Sequence, residues 1–229
     1  MTIGLVLLAV VAILIFFGLS DKFFKNVGVS PWVGFVLAML LIIGAVIPNV
    51  TIGEGFVFNF GGFVVPIIGM IVLMAYIGWN KTLLKVIFAE LVIAAIAIAT
   101  RVLILPETTG MILAASLIVG FVGGAVAFLI NGSRLGTLAS AMGGIVLGDL
   151  IVNLIYVFGI GGYVFSMGTR GVFDSIIIAC VFGILLLEAV VTARRAASNN
   201  RVAHSSMNAE SADDIGKDEF NDYFDDTIL

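Results

Sequence analysis

Long apolar runs alternate with short polar segments along the whole chain, and these runs determine the class of protein. Seven runs can be counted, at about 2–19, 31–48, 60–79, 82–100, 110–130, 137–157 and 173–192. Each has roughly the 20 residues that a helix needs to cross a hydrocarbon core about 30 Å thick. The runs are continuous and lack the alternation of barrel strands. The pattern predicts an all-α, polytopic membrane helix bundle of about seven transmembrane helices.

Composition agrees with this class and excludes several kinds of chemistry. Hydrophobic residues make up 61% of the 229 positions and charged residues 11%. Cys180 is the single cysteine and His204 the single histidine, so neither a disulfide nor a metal centre built on these side chains is expected. No cofactor is expected either. The sequence has no Walker-type loop or basic aromatic patch, so the predicted partner is the lipid bilayer and not nucleic acid.

Lysine and arginine are distributed unequally between the two sets of loops. The loops after spans two, four and six carry only Arg101 and Arg170. The loops after the odd-numbered spans, with their flanks and the tail, carry Lys22, Lys25, Lys81, Lys85, Arg134, Arg194, Arg195, Arg201 and Lys217. Because cytoplasmic loops are enriched in these residues, the N-terminus is predicted outside and the C-terminus in the cytoplasm.

The composition changes at residue 193. The last 24 residues, SMNAESADDIGKDEFNDYFDDTIL, contain eight acids and one lysine, with little apolar surface to bury. Two parts are therefore predicted: a transmembrane domain at 1–192 and a disordered acidic cytoplasmic tail at 193–229. The final EFNDYFDDTIL is either a docking motif for a cytoplasmic partner or part of a solubilising tail.

Four acidic side chains fall inside the predicted spans, where a charge without a partner is costly and marks a candidate functional site. One of them, Glu188, lies close to the cytoplasmic end of span seven and is given no functional role. Asp149 lies in span six, and Asn153 follows one helical turn later on the same face. Asp174 begins span seven. Glu90 lies near the middle of span four, where it is either paired internally or protonated. The candidate substrate- or ion-binding residues are Asp149, Asn153, Asp174, Glu90 and, ahead of span three, Asn59.

Glycines are placed where helices bend or approach one another. Gly61, Gly62 and Pro66 weaken the helical ladder at the start of span three, which predicts either a broken helix that lines a transport site or a simple kink. Small residues also recur at intervals of four, which favours close helix packing in lipid. They are Gly136, Ser140, Gly144 and Gly148 in span six, with Gly120 and Gly124 in span five.

Three segments form an ordered set of motifs: NFGGFVVP, LGDLIVNL and GVFDSI. Within about residues 30–190 they resemble the N-x-G-G-x-x-x-P, G-A-D-L-L-N-L and I-G-G-A-G-T-F-D-G-I-F motifs of the domain-of-unknown-function 1614 family. The matched positions are Asn59, Gly61, Gly62, Pro66, Gly148, Asp149, Leu150, Asn153, Gly171, Phe173, Asp174 and Ile176. The resemblance implies a multi-pass protein of a prokaryotic inner or plasma membrane, but it supplies no activity. Thr169, Arg170 and Ser175 depart from the small residues of the family pattern.

Functions of three different classes are compatible with these residues. The working hypothesis is a small-solute or cation transporter with an intramembrane carboxylate site. An alternative is a diaspartyl intramembrane protease, with Asp149 and Asp174 catalytic and a single-span membrane protein as substrate. For that class, Gly171-Val172-Phe173-Asp174 is similar to the G-x-G-D element of presenilin-like proteases, except at Phe173. The third is a non-catalytic scaffold, assembly factor or sensor, whose aspartates pair structurally with Arg101, Arg170 or asparagines. Whether the protein is an enzyme is left open.

Overall fold

The computed structural model describes residues 3–17, 30–53, 55–104, 108–160, 164–194 and 197. Seven helices lie within these ranges, so the all-α prediction is confirmed. They are α1 Ile3–Phe16, α2 Pro31–Val46, α3 Val65–Ile77, α4 Lys81–Ile104, α5 Thr109–Asn131, α6 Arg134–Leu154 and α7 Val172–Arg194.

Two of these helices are extended by π-helical segments. Phe60–Val64 leads into α3, and Ile155–Ile160 continues α6. With these extensions, the two membrane-compatible segments run over Phe60–Ile77 and Arg134–Gly159.

Five helical segments of the described chain are long and apolar enough to cross a membrane. They are Phe60–Ile77, Lys81–Ile104, Thr109–Asn131, Arg134–Gly159 and Val172–Arg194. The other two apolar helices, α1 and α2, have 14 and 16 residues. At about 1.5 Å per residue they fall short of a hydrocarbon core of about 30 Å. Five membrane-compatible helices are consistent with a membrane protein, while membrane insertion, seven spans and their orientation remain predictions.

A small three-stranded sheet was not predicted. Its strands are β1 Val50–Ile52, β2 Phe56–Phe58 and β3 Phe165–Met167, in the order β1-β2-β3. β1 pairs antiparallel with β2, and β2 pairs parallel with β3. The rings of Phe56 and Phe165 stack across the parallel pair with their centroids 5.0 Å apart. The sheet thus connects the segment after α2 to the segment before α7.

The small residues of α6 permit close packing against α4, as their spacing predicts. A methyl group added at Gly144 would lie 2.6 Å from Cβ of Ile93, and one at Gly148 would lie 2.8 Å from Cβ of Ala97. Ile93 and Ala97 are themselves almost completely buried. The absence of a side chain at these positions of α6 therefore lets the two helices approach closely.

Glycines of α5 permit close packing against α7 in the same way. A methyl group at Gly120 would lie 2.7 Å from Cβ of Ile178, and one at Gly124 would lie 2.6 Å from the carbonyl oxygen of Ala179. Val119 and Ala127 flank these glycines in the buried core of the bundle.

The chain separates into two compact units, residues 1–187 and 188–229. α7 continues to Arg194, and the predicted division of the chain at residue 193 stays a prediction. Beyond Arg194 only residue 197 is described, in a helical conformation. The predictions of a disordered tail and of a docking motif at its end therefore lie outside the described residues.

Candidate functional site

Asp149 is the most completely engaged of the candidate residues. It lies on α6, is 1% exposed, and forms an ion pair with Arg101 near the end of α4. Its second carboxylate oxygen accepts a hydrogen bond of 2.7 Å from the backbone N–H of Gly168. Asn153 donates from Nδ2 to the backbone oxygen of Asp149 at 2.9 Å and to its Oδ1 at 3.3 Å. One carboxylate therefore joins α4, α6 and the segment between β3 and α7.

Asn153 binds the backbone of β3, just before that segment. Its Oδ1 accepts a hydrogen bond of 2.9 Å from the backbone N–H of Ser166 in β3. The pair predicted to share a face of α6 thus binds backbone groups two residues apart in the chain, at Ser166 and Gly168. We call Arg101, Asp149, Asn153, Ser166 and Gly168 the Asp149 cluster.

The turn from β3 into α7 depends on positive φ angles. They are 70° at Gly168, 49° at Arg170 and 82° at Gly171. Glycine adopts such angles readily, whereas Arg170 is in the left-handed region that non-glycine residues seldom occupy. The tight turn before Asp174 therefore forms even though Arg170 departs from the small residues of the resembled family.

Asn59 connects the start of α3 to the Asp149 cluster through the backbone. Its N–H donates to the carbonyl oxygen of Met167 at 3.0 Å, and its Oδ1 accepts from the N–H of Gly62 at 2.9 Å. Its Nδ2 donates to Oδ1 of Asn49 at 3.0 Å. Asn59 therefore serves here as a helix cap and a strand partner, and not as a direct neighbour of the Asp149 carboxylate.

The predicted helix break is a π-helical turn at the very beginning of the span. A methyl group at Gly61 would lie 2.6 Å from the backbone nitrogen of Ala45 in α2, and one at Gly62 would lie 2.8 Å from the carbonyl carbon of Gly168. Both glycines are thus required for backbone-to-backbone contact. Pro66 is the second residue of α3 and has no N–H to donate back to the π-helical turn before it, so the helical ladder is weakened at this point.

Asp174 has a different partner altogether. Its Oδ1 accepts a hydrogen bond of 2.8 Å from the backbone N–H of Gly4, in the first turn of α1. Asp174 itself lies in the first turn of α7 and is 8% exposed. A carboxylate is favoured at helix N-termini by the unpaired N–H groups and the helix dipole. Among the described residues, no hydrogen bond or ion pair joins Asp174 to Asp149.

Glu90 is buried, and one of its carboxyl oxygens has no hydrogen-bond partner among the described residues. It is 9% exposed, and its Oε1 is inaccessible and has no donor or acceptor within reach among the described residues. A methyl group at Gly143 would lie 2.6 Å from both the Glu90 carboxyl carbon and the sulfur of Met70. The side chain of Glu90 therefore lies where α3, α4 and α6 meet.

The sequence predicts Arg101 only as one of several possible partners of the aspartates. It does not predict that Ser166 and Gly168 bind Asn153 and Asp149. The glycines of the SMGTRG segment were a signal for a turn, but nothing local indicated that its N–H groups would bind α6. No group of three or more histidine, cysteine, aspartate or glutamate side chains that could hold a metal ion occurs within the described ranges.

Comparisons of the chain with known families, proteins and structures identify no relative. No known protein family matches the chain, and no curated protein and no solved structure matches it. The resemblance to the domain-of-unknown-function 1614 family therefore stays a prediction based on its three motifs.

Proposed function

We propose that this chain is an integral protein of a prokaryotic cell membrane and moves a small solute or cation across it. The proposal includes the predicted orientation, with the N-terminus outside and the C-terminus in the cytoplasm. One observation carries it: the buried ion pair of Arg101 and Asp149 holds irregular backbone inside the bundle at Gly168. Buried ionisable side chains and non-helical backbone that lines a cavity are features of substrate and ion sites in transporters.

The Asp149 cluster has the connections expected of an external gate. The backbones of Gly168 and Gly62 are too close together for a side chain on either residue. The segment after β3 therefore packs directly against the π-helical start of α3. Loss of the Arg101 ion pair would release Asp149, and with it the anchor of Gly168. The π-helical start of α3 and the turn before α7 would then be free to separate. In this mechanism, opening exchanges an internal ion pair for contact with water or with the transported solute.

Flux through proteoliposomes tests this function. The purified chain is reconstituted and challenged separately with proton, sodium and potassium gradients and with small charged and neutral solutes. We expect flux of at least one of them, altered by Asp149→Asn and by Arg101→Gln. Lys85→Gln is the matched control, because Lys85 is an exposed basic residue on the same helix as Arg101. Absence of flux for every solute, with the wild-type protein folded, would refute transport for that panel.

The scaffold, assembly-factor or sensor alternative is favoured by a separate observation. Asp149 is bound by Arg101, Gly168 and Asn153, while Asp174 is bound by Gly4. Such contacts are also those of structural residues. If Asp149→Asn lowers stability and the wild-type protein carries no solute, this alternative replaces transport. A cytoplasmic partner at the acidic tail would fit it.

The protease alternative receives the least support. Two catalytic carboxylates must face one another to share a proton. Asp149 and Asp174 instead bind separate partners on separate helices. Cleavage of a single-span membrane substrate that is abolished by both Asp149→Asn and Asp174→Asn would restore this reading.

A further inference from the structure

The buried oxygen of the Glu90 carboxyl group, Oε1, has no cation and no hydrogen-bond donor beside it among the described residues. The sulfur of Met70 on α3 and the backbone at Gly143 on α6 adjoin it, and neither is a cation. Its Oε1 is buried and accepts no hydrogen bond from any described residue. An isolated carboxylate in such surroundings is strongly disfavoured, so the group must be neutralised.

No charged residue on the three adjoining helices meets this need. On α4, Lys85 is exposed and lies five residues away, about 140° around the helix, while Arg101 is eleven residues away, or about 16 Å along the axis. Arg101 is moreover committed to Asp149. The remaining charged residues are Lys81 on α4 and Arg134 and Asp149 on α6, while α3 has none and its one titratable side chain, Tyr76, is 54% exposed.

α3 and α6 enclose this site by a reciprocal contact. The Met70 sulfur of α3 lies over Gly143 of α6, at 2.6 Å from the position of a Cβ atom there. In the opposite direction, the Met142 sulfur of α6 lies over Gly69 of α3, at 3.3 Å from the corresponding position. Each methionine thus fills the space left by the glycine of the facing helix. Flexible thioether side chains adapt to such gaps and can leave them at low cost.

From these observations we propose that Glu90 is a proton-binding site of the membrane domain. It carries its proton while the Met70 and Met142 contacts are closed, and it releases the proton when α3 and α6 separate and water enters. The proton dissociates from the carboxyl oxygen to water, which leaves a hydrated carboxylate, and no other reactant is required. This inference deepens the proposed transport function, in which the proton is the transported or coupling ion, and its role in transport rests on that function.

Carbodiimide labelling tests the site without any transport assay. Dicyclohexylcarbodiimide, an apolar reagent, reacts with protonated carboxyl groups in apolar surroundings. The full-length protein in detergent and in liposomes is labelled across a range of pH, and the modified residues are mapped by mass spectrometry. We expect modification at Glu90 that declines as pH rises, and little at Asp149, whose carboxylate is held by Arg101. Glu90→Gln should abolish the label, whereas Lys85→Gln should leave it unchanged.

Infrared difference spectroscopy supplies an independent measurement should a variant fold poorly. The wild-type protein should show a C=O stretching band of a protonated carboxylic acid that disappears as pH rises and that is missing from Glu90→Gln. Absence of both the label and the band at every pH would overturn the proposal. Protection of Glu90 by sodium or potassium at constant pH would overturn it too, because the site would then bind a metal cation.

The two proposals fail separately. A protonated, labelled Glu90 in a protein that carries no solute would refute transport and leave the proton site intact. Flux that persists without any label or acid band at Glu90 would refute the proton site and leave transport intact.

Discussion

Asp174 binds the backbone N–H of Gly4 across 170 positions of the chain. A side chain at the start of α7 thereby caps the start of α1, at the cost of placing an acidic residue in the bundle. The two backbones are also close here, because a methyl group at Gly4 would lie 3.0 Å from Cα of Asp174. This relationship gives one of the two aspartates a structural role without reference to any substrate.

Replacing Asp174 should loosen α1. Asp174→Ala removes a charged acceptor from a buried N–H, for which a loss of about 1–3 kcal/mol in the free energy of unfolding is expected. Asp174→Asn keeps an oxygen acceptor and should lose less. Unfolding by denaturing detergent, followed by circular dichroism, measures both. Equal stabilities for wild type and Asp174→Ala would mean that the hydrogen bond contributes nothing.

The ion pair of the Asp149 cluster should behave as a buried pair. Arg101→Gln or Asp149→Asn alone leaves one group without its partner, and the expected loss is about 3–5 kcal/mol. The double variant removes both charges and should lose less than the two single losses combined. A double-mutant cycle on the free energy of unfolding gives the coupling. Exact additivity of the two losses would contradict an energetically important pair.

Gly62 should tolerate no larger residue. In Gly62→Ala the added methyl group would meet the backbone of Gly168 at 2.8 Å from its carbonyl carbon, and backbone cannot move aside as a side chain can. Gly110→Ala is the matched control, because open space surrounds a methyl group at Gly110 in α5. Thermal unfolding in detergent should show a clear loss for Gly62→Ala and little change, or a slight gain, for Gly110→Ala. Similar midpoints for the two variants would contradict the close contact.

Asp149 and Asp174 should act independently on stability. Since they bind different groups and share no partner, the losses of Asp149→Asn and Asp174→Asn should add within about 0.5 kcal/mol in the double variant. A double variant no worse than either single would instead indicate one shared site, as the sequence hypothesis had it. The same unfolding assay distinguishes the two outcomes.

Orientation in the membrane can be checked with single cysteines. In a Cys180→Ala background, cysteines at Thr2 and Glu107 should react with an impermeant thiol reagent added to intact cells, and one at Ser205 should not, because lysine and arginine favour the cytoplasmic side. Labelling at Ser205 from outside would overturn the predicted orientation. Labelling after cell lysis provides the control for reactivity at each position.

The sequence was sufficient to place the helices, because apolar runs and their ends are local properties of the chain. It could not supply the partners of the acids. Arg101 and Asp149 are 48 positions apart, and Asp174 binds a backbone N–H, a group that every position except proline offers equally. Glu90 was predicted to lie within a span, but the absence of a partner for its Oε1 depends on how α3 meets α6.

The sheet was missed for a different physical reason. Its strands have three residues each, too few for an alternating pattern to be distinguished from the ends of apolar runs. β3 also lies far from β2 in the chain, and the pairing of Val57 with Ser166 leaves no trace in either segment alone.

The parallel pairing of β2 with β3 also constrains the order of events during biosynthesis. β2 leaves the ribosome before α3, whereas β3 follows α6, so four helices must be made before the two strands can meet. Until then the edge of β2 that receives β3 has no partner, and Asn59 cannot bind Met167. The π-helical start of α3 therefore acquires its final contacts late, when the chain before α7 returns to the same end of the bundle.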